Sequence, residues 1–550
     1  MGGTRAAAGR VGVFVALWAA ACALLLLSSR YSSSSVAIAT REATRTRVKV
    51  FSQADEFGIG ESFQVSGRVS TQEKLGESEG SILLVETLPV GELNLTSTAQ
   101  PTFEALIERV QAANETIDLS AMYWNLLGKE DRAIFSDEEM REFGADRGEK
   151  LFEALRDAVK RGVVLRILTA KESPGSENDS SVQVADLPEE VQQLVAARPD
   201  RVHVRCWSGP EWYGSGILHQ KIWLFDQQHL YVGSANMDWK SLAQVMEVGV
   251  LMKNLSPQSL LIRDLQRLFD AWWLWADPDR QATTSTYYSK QFQLELKVPS
   301  WSVHLPDEDR VPDPFVDAGL SALGNSSHQI HADLKFGSDQ ASSATPADVF
   351  IAAAPIEVTA GHSREFDEDA LMYTIKSAKT RLSLSVMDFT PYSMFTPSAI
   401  WWPALTDAIL SGLYSKPNLQ IRLLISEWQH TNPQMQPALK LLNQQGLLCR
   451  KMRAACSGML EIRVFRVPGW QDTKSTPGHK GKWPEHTRVN HAKYIVSDAR
   501  VNVGTSNMEW GYFYTTAGAS VNTNHEPTRQ AFETLFDRNW DSPYAQVLAD

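Results

Sequence analysis

The sequence holds only 4 cysteines in 550 residues, too few for a disulfide scaffold. It has no excess of base: 53 Lys and Arg stand against 65 Asp and Glu, a formal charge of −12 with neutral histidines. That excludes a broad basic face for gripping nucleic acid, though not a local basic cleft. Protonating the 12 histidines would cancel the −12, so acid conditions remove the repulsion for a polyanion. Gly (33) and Pro (25) are too sparse for a collagenous or low-complexity chain. The remainder is ordinary globular composition, 43% apolar and 21% charged. At about 150 residues per domain the length suggests three to four units.

Long hydrophobic runs are also scarce. The one that stands out is 11–27, 17 uncharged residues behind Arg5 and Arg10. It falls between a secretory core and a full span of about 20 residues. Ser28, Ser29 and Arg30 follow it, and the nearest A-x-A pair, Ala37 and Ala39, lies well downstream. An uncleaved signal anchor is therefore favoured over a cleaved signal. Arg41, Arg45, Arg47 and Lys49 follow the run, so the charge count alone does not orient it. The lack of acids in residues 1–40 keeps a mitochondrial presequence open. Five N-x-[ST] sequons, at Asn94, Asn114, Asn178, Asn254 and Asn325, fit a lumenal body carrying N-glycans, although Pro257 makes Asn254 a poor acceptor. The expected organisation is a short cytosolic tail (1–10), a transmembrane signal anchor (11–28) and a stalk (29–81). A first half (82–295), an inter-lobe connection (296–350) and a second half (351–550) follow.

The two halves are the same unit written twice. IDLSAMYW at 117–124 matches LSLSVMDF at 382–389, and VLRIL at 164–168 matches IRLLI at 421–425. HQKIWLFD at 219–226 matches HAKYIVSD at 491–498, and GSANMDW at 233–239 matches GTSNMEW at 504–510. Order and spacing are both kept, which indicates a duplicated domain and not a solenoid. Within a copy, helical spacing at 103–112 and 150–161 alternates with strand patterns at 117–120 and 163–168, and Gly162 stops the second helix. Such alternation predicts an α/β fold of mixed sheets flanked by helices.

Read as a strand, 217–226 puts His219, Lys221, Trp223 and Phe225 on one face. Both faces are apolar, so the strand is expected to be central and to carry His219 and Lys221 into the body. His491 and Lys493 repeat the arrangement. A buried lysine is rare, and two copies of H-x-K-x4-D, each followed by a Gly turn ending in Asn, point to chemistry. Two histidines can divide the tasks of nucleophile and acid, and two lysines with the amides Asn236 and Asn507 can gather positive charge and donors around a reacting group. No metal is expected, because Cys449 and Cys456 have no His or Cys neighbours at zinc spacing.

These paired motifs resemble the phospholipase D superfamily over about residues 82–550. GILHQKIWLFDQQHLYVGSANMDW, RVNHAKYIVSD, GTSN and RNWDSPY are closest to the branch of animal phospholipases D three and four. The resemblance implies a pseudo-twofold phospholipase D fold with both motifs meeting at one active site. It implies a type II membrane protein of the ER/Golgi–endolysosome route, either anchored or released as a soluble form. The implied activity is 5′-to-3′ exonucleolysis of single-stranded DNA or RNA through a phosphohistidine; hydrolysis or transphosphatidylation of phospholipids is the alternative. Partners are then that nucleic acid or phospholipid, the membrane through the anchor, and a second copy in a homodimer. No cofactor is implied. By resemblance His219 is nucleophile and His491 acid/base, with Lys221, Lys493, Asn236 and Asn507 around the phosphate. Glu247 lies where the family places a carboxylate that orients a histidine. Asp226 and Asp498 complete the motifs, on the strand face opposite their lysines, where they are better placed to anchor the strand end.

Other features are weaker. The loop 467–488 is rich in Lys, His and Pro, and is either a basic rim for substrate, with Lys482 and Arg488, or a solvated surface. Trp124 and Trp402 follow family-like segments and are candidates for stacking on a base or holding an acyl chain; core packing is the competing reading. Cys449 and Cys456 are expected to close a short disulfide.

Overall fold

The apolar spacing in each lobe becomes helices laid on sheet. In the first lobe the helix Thr102–Ala112 buries Ala105, Leu106 and Val110, and the strand Thr116–Ala121 follows. The helix Asp146–Arg161 turns Leu151, Leu155, Ala158 and Val159 inward and ends at Gly162, whose φ of 106° suits a residue without a Cβ. The strand Val164–Ala170 comes next. The computed structural model describes residues 80–170, 187–323, 330–337, 343–452, 455–476 and 479–548. The expected tail, anchor and all but the last two residues of the stalk lie outside the described residues, as do Asn178 and Asn325. Asn94, Asn114 and Asn254 are exposed. Among the described residues no helix is long and apolar enough to cross a membrane.

The duplication is visible in the strand order. The first lobe runs Val202–Trp207, Val164–Ala170, Thr116–Ala121, Ile222–Phe225, His229–Gly233, Glu247–Lys253, Gly80–Thr87 across its sheet. The second runs Met459–Phe465, Gln420–Ser426, Arg381–Val386, Lys493–Ser497, Val501–Gly504, Gly518–Thr523, Thr345–Ala354 in the matching order. Three neighbours at one end are parallel and the rest antiparallel. The main core mixes both lobes: Leu224 and Val232 belong to one cluster with Tyr494, Val503 and Phe536.

The stretch 296–350, expected as a connection without periodicity, holds regular structure. Its strand Ile330–Phe336 pairs with Gly80–Thr87 of the first sheet and with Thr345–Ala354 of the second, joining the two. The alternation is plain once seen: Ile330, Ala332 and Leu334 are buried between exposed or half-buried His331, Asp333 and Lys335. The boundary expected at 351 falls inside the strand Thr345–Ala354. From the same stretch Trp301 packs edge-on with Trp212 and Trp275 in the first lobe's core, and Phe315 packs tilted on Trp275 and edge-on with Trp301. Pro and His content masked a pattern that only the partner strands reveal.

Cys449 and Cys456 are disulfide-bonded, with Cα atoms 5.2 Å apart. The two motif aspartates sit beyond the far ends of the motif strands. Asp226 accepts the backbone N–H groups of Asn114, Glu115 and Thr116, each at 2.9 Å. Asp498 accepts those of Lys379 (2.8 Å) and Thr380 (3.0 Å), and the Thr380 hydroxyl at 2.8 Å. Each carboxylate thus ties its motif strand to the loop entering the neighbouring central strand. Burial alone would raise the Asp498 pKa, but these donors hold it below the usual aspartate value. Its contribution to stability is therefore complete above the unfolded pKa of about 3.9 and lost as pH falls through the lower folded value. Asp498→Ala should cost about 1.5–3 kcal/mol in urea unfolding at neutral pH, with kcat close to wild type. A large loss of kcat in a folded variant would return Asp498 to the chemistry.

Candidate active site

The two motif segments meet where the lobes exchange backbone hydrogen bonds. His219 N donates to Ala517 O at 3.0 Å and Ala517 N to Ile217 O at 2.9 Å. The symmetric pair is His491 N to Met246 O and Met246 N to Val489 O, both 2.9 Å. The reading of 217–226 as one strand needs correction here. The strands are Ile222–Phe225 and Lys493–Ser497, and each histidine lies ahead of its strand, held by the opposite lobe. Gly216 makes the approach possible: its φ is +89°, and a Cβ there would lie 1.8 Å from Thr515 O.

The rings of His219 and His491 stand 6.2 Å apart, centre to centre, room for one phosphoryl group between them. Their environments differ. His219 Nδ1 lies 2.7 Å from Thr505 O. A carbonyl only accepts, so Nδ1 carries the proton and Nε2 of the neutral ring keeps a lone pair. Burial, then Lys221 and Lys493, push the His219 pKa well below its ordinary value. His491 Nδ1 instead donates to Glu247, 2.9 Å from Oε2. Burial pulls the His491 pKa down and Glu247 pulls it back up, leaving it below normal.

Lys221 and Lys493 are almost completely buried, 1% and 2% exposed. Each Nζ donates to the carbonyl of its own motif histidine at 2.7 Å. Burial, then their mutual repulsion, draws Lys221 well below the lysine range. Burial also lowers Lys493, against the pull of Glu247 and Asp388. Two desolvated ammonium groups are costly without an anion; a phosphate between them would supply it.

The asparagines draw in residues that the motifs did not single out. Asn507 Nδ2 donates to Asp388 Oδ2 (2.9 Å) and Tyr512 Oη (3.1 Å). Asn236 Nδ2 lies 3.4 Å from Tyr123 Oη, whose hydroxyl donates to Asp238 at 3.1 Å. Tyr512 packs edge-on against His219, 5.0 Å between centroids. Tyr123 and Asp388 occupy matching positions of the repeat, so this mismatch in otherwise similar segments was the signal for them.

Several expected residues are elsewhere. Asp226 and Asp498 anchor loops, as above. Trp402 is a core residue, stacked on Phe513 at 5.1 Å with Nε1 bound to Glu368. Arg488 is buried under Trp483, 4.0 Å from its ring centre, and donates to Pro468 O and Val90 O. Lys482 pairs with Glu92 at the surface, and Lys480 with Glu139 at 2.6 Å. The basic loop therefore clasps the acidic first lobe and is not an open rim; charge complementarity between lobes is invisible in a local count. Trp124 does line the cleft. No zinc-spaced set was visible in the chain, yet the fold brings His430, Glu485 and His486 together from distant positions.

With the histidines in these settings, His219→Ala and His491→Ala should each lower kcat by at least about 10³-fold, measured on a chromogenic phosphodiester, with unchanged circular dichroism. Glu247→Gln should lower kcat about 10²–10⁴-fold and move the alkaline limb of the rate profile to lower pH, because the group that lifts the His491 pKa is gone. Inorganic phosphate or vanadate should raise the melting temperature of wild type and not of Lys221→Met/Lys493→Met. Equal stabilisation of both would remove the lysine pair from anion binding.

The "Cardiolipin synthase, PLD-like domain" family matches residues 106–273, and the "PLD3/4, PLD-like domain" family matches residues 335–470. A probable phospholipase D of Caenorhabditis elegans is 30% identical over 466 residues, covering 84% of this chain and 70% of its own. Phospholipase D Z of Dictyostelium discoideum is 29% identical over 472 residues, covering 85% and 90%. The human protein named 5′-3′ exonuclease PLD3 is 28% identical over 473 residues, covering 85% and 80%. Among solved structures, a phosphatidylserine synthase of Haemophilus influenzae aligns with a TM-score of 0.43 at 12% identity, over 86% of this chain and 90% of that one. Matched in both halves and over most of its length, the chain belongs to the phospholipase D superfamily, in its PLD3/4 branch.

Proposed function

We propose that this phospholipase D-type phosphodiesterase is a 5′-to-3′ exonuclease on single-stranded DNA or RNA. The observation that carries the reading is the lining of the cleft over the two histidines. The cleft holds about 1290 Å³, and Lys129, Arg132, Lys150, Arg156 and Lys240 line it among acids such as Glu149 and Glu189. Each of these bases is paired with a carboxylate, and a phosphate backbone can exchange with such pairs where an acyl chain cannot. Aromatic side chains interrupt it at Trp124, Phe395 and Trp428, and Phe395 is 67% exposed. The exposed Phe395 ring, with the half-buried Trp428 beside the cleft, offers a stacking surface for a base, while Trp124 is buried. Relatives named both 5′-3′ exonuclease and phospholipase D keep the lipid alternative in the test.

In this reading His219 Nε2 attacks phosphorus while Nε2–H of His491 protonates the leaving oxygen. The P–O bond breaks and a phosphohistidine forms. Neutral His491 then takes a proton from water, whose oxygen attacks phosphorus and releases His219. Glu247 steadies the imidazolium during the first step, and Lys221 and Lys493 hold the phosphoryl oxygens. We place the body in the lumen of the ER/Golgi–endolysosome route behind the anchor at 11–28, on the sequons and the hydrophobic run.

The first step needs His219 neutral and His491 protonated. Both pKa values lie below normal, His219 the further, so the productive form accumulates as pH falls and is lost only when His219 also protonates. Turnover of a 5′-hydroxyl single-stranded oligonucleotide should rise at least about tenfold from pH 8 to pH 5. A maximum near pH 8 would refute the assignment. Turnover of short-chain phosphatidylcholine beside an untouched oligonucleotide would give the activity to the lipid alternative.

A further inference from the structure

A second group of chemistry-bearing side chains lies on the rim of the cleft and takes no part in the hydrolysis just described. His430, Glu485 and His486 each offer one donor atom, and the three atoms lie within 4.8 Å of one another. His430 Nε2 stands 3.7 Å from Glu485 Oε1. The two imidazoles stack at 4.6 Å and 21°, and Trp428 packs 4.8 Å from His430. Both histidines are exposed and Glu485 is half-buried, so an ion reaches them from solvent.

Two imidazoles and a carboxylate are a borderline donor set of the kind zinc takes, with bonds of about 2.0–2.2 Å. Tetrahedral ligands at that length stand about 3.3–3.6 Å apart. The His430–Glu485 pair is already near this spacing, and the widest pair needs a closure of about 1 Å, within reach of small side-chain rotations. The neighbouring cation is compensated: Lys240 is paired with Asp131 at 3.0 Å. Of the nearby charges Lys240 opposes a dication at His486, and its partner Asp131 and the ligand Glu485 offset it.

We propose that His430, Glu485 and His486 form a three-ligand site for Zn²⁺ at the mouth of the cleft, with the fourth position open. His486 and Trp428 both line the cleft, so a bound ion adds positive charge where an anionic substrate enters. The site shares no residue with the His219–His491 pair, and it holds whichever substrate the enzyme takes.

The test is calorimetric titration of ZnCl₂ into full-length protein stripped with chelator, in a buffer free of phosphate. One saturable equivalent is expected in wild type. His430→Ala and His486→Ala should each weaken it by more than about tenfold, and Glu485→Gln should weaken it less. His331→Ala, at an exposed histidine on the connecting strand, should leave it unchanged. Melting curves without zinc establish that the variants fold. No saturable binding in wild type overturns the proposal, as does binding that survives both histidine variants. A raised KM in His430→Ala with zinc binding intact also overturns it, and makes the stacked pair a surface for bases instead.

Discussion

Each of the two histidines is fixed by a backbone hydrogen bond to the opposite lobe, and the rest of the site depends on that exchange. His219 N is bound to Ala517 O, and His491 N to Met246 O. Neither lobe alone presents a histidine in position, because the residue that holds it lies 298 positions away for His219 and 245 for His491. The close contact at Gly216 and the clasp of Arg488 and Trp483 on the first lobe serve the same end: they keep two half-sites at one separation. Catalysis by paired groups is sensitive to such distances, since an error of about 1 Å can cost a hundredfold in rate.

Symmetry places the groups and asymmetry gives them different tasks. Glu247 supports His491, but its counterpart is Gly518, where a Cβ would lie 2.4 Å from Ser506 Oγ. Ser506 and Ser520 both donate to the buried Asp367, so the second lobe fills that space with a hydroxyl network. His219 is left with the Thr505 carbonyl, which fixes the tautomer without supplying charge. One imidazole is thereby kept neutral with a free lone pair, and the other is paired with a carboxylate that favours its protonated form. The separation follows from environment alone, as the two motifs are otherwise alike.

The fold also arranges charge on a larger scale. A chain with a net −12 reaches an anion by burying Lys221 and Lys493 beneath the cleft, where low dielectric strengthens their field. Exposed base is spent on internal pairing: Lys480 binds Glu139 and Lys482 binds Glu92. The overall acid excess and a local anion site are therefore compatible.

The sequence by itself determined the duplication, the alternation of helix and strand and the identity of the central pair. These rest on local periodicity and on motif spacing, which a linear chain records directly. His219, Lys221, His491 and Lys493 were legible for that reason, as was the short Cys449–Cys456 bridge, whereas Glu247 came only through the family resemblance. Tertiary structure decided which acids and aromatics reach the cleft. Arg488 and Lys482 looked like a substrate rim because their partners, Val90 and Glu92, lie in the other lobe. Trp402 resembled a stacking residue because composition does not tell a core ring from an exposed one. The joining strand Ile330–Phe336 and the cluster of His430 with Glu485 and His486 depend on pairings between distant segments. Long-range contact is a property of the packed chain, and no single stretch of sequence carries it.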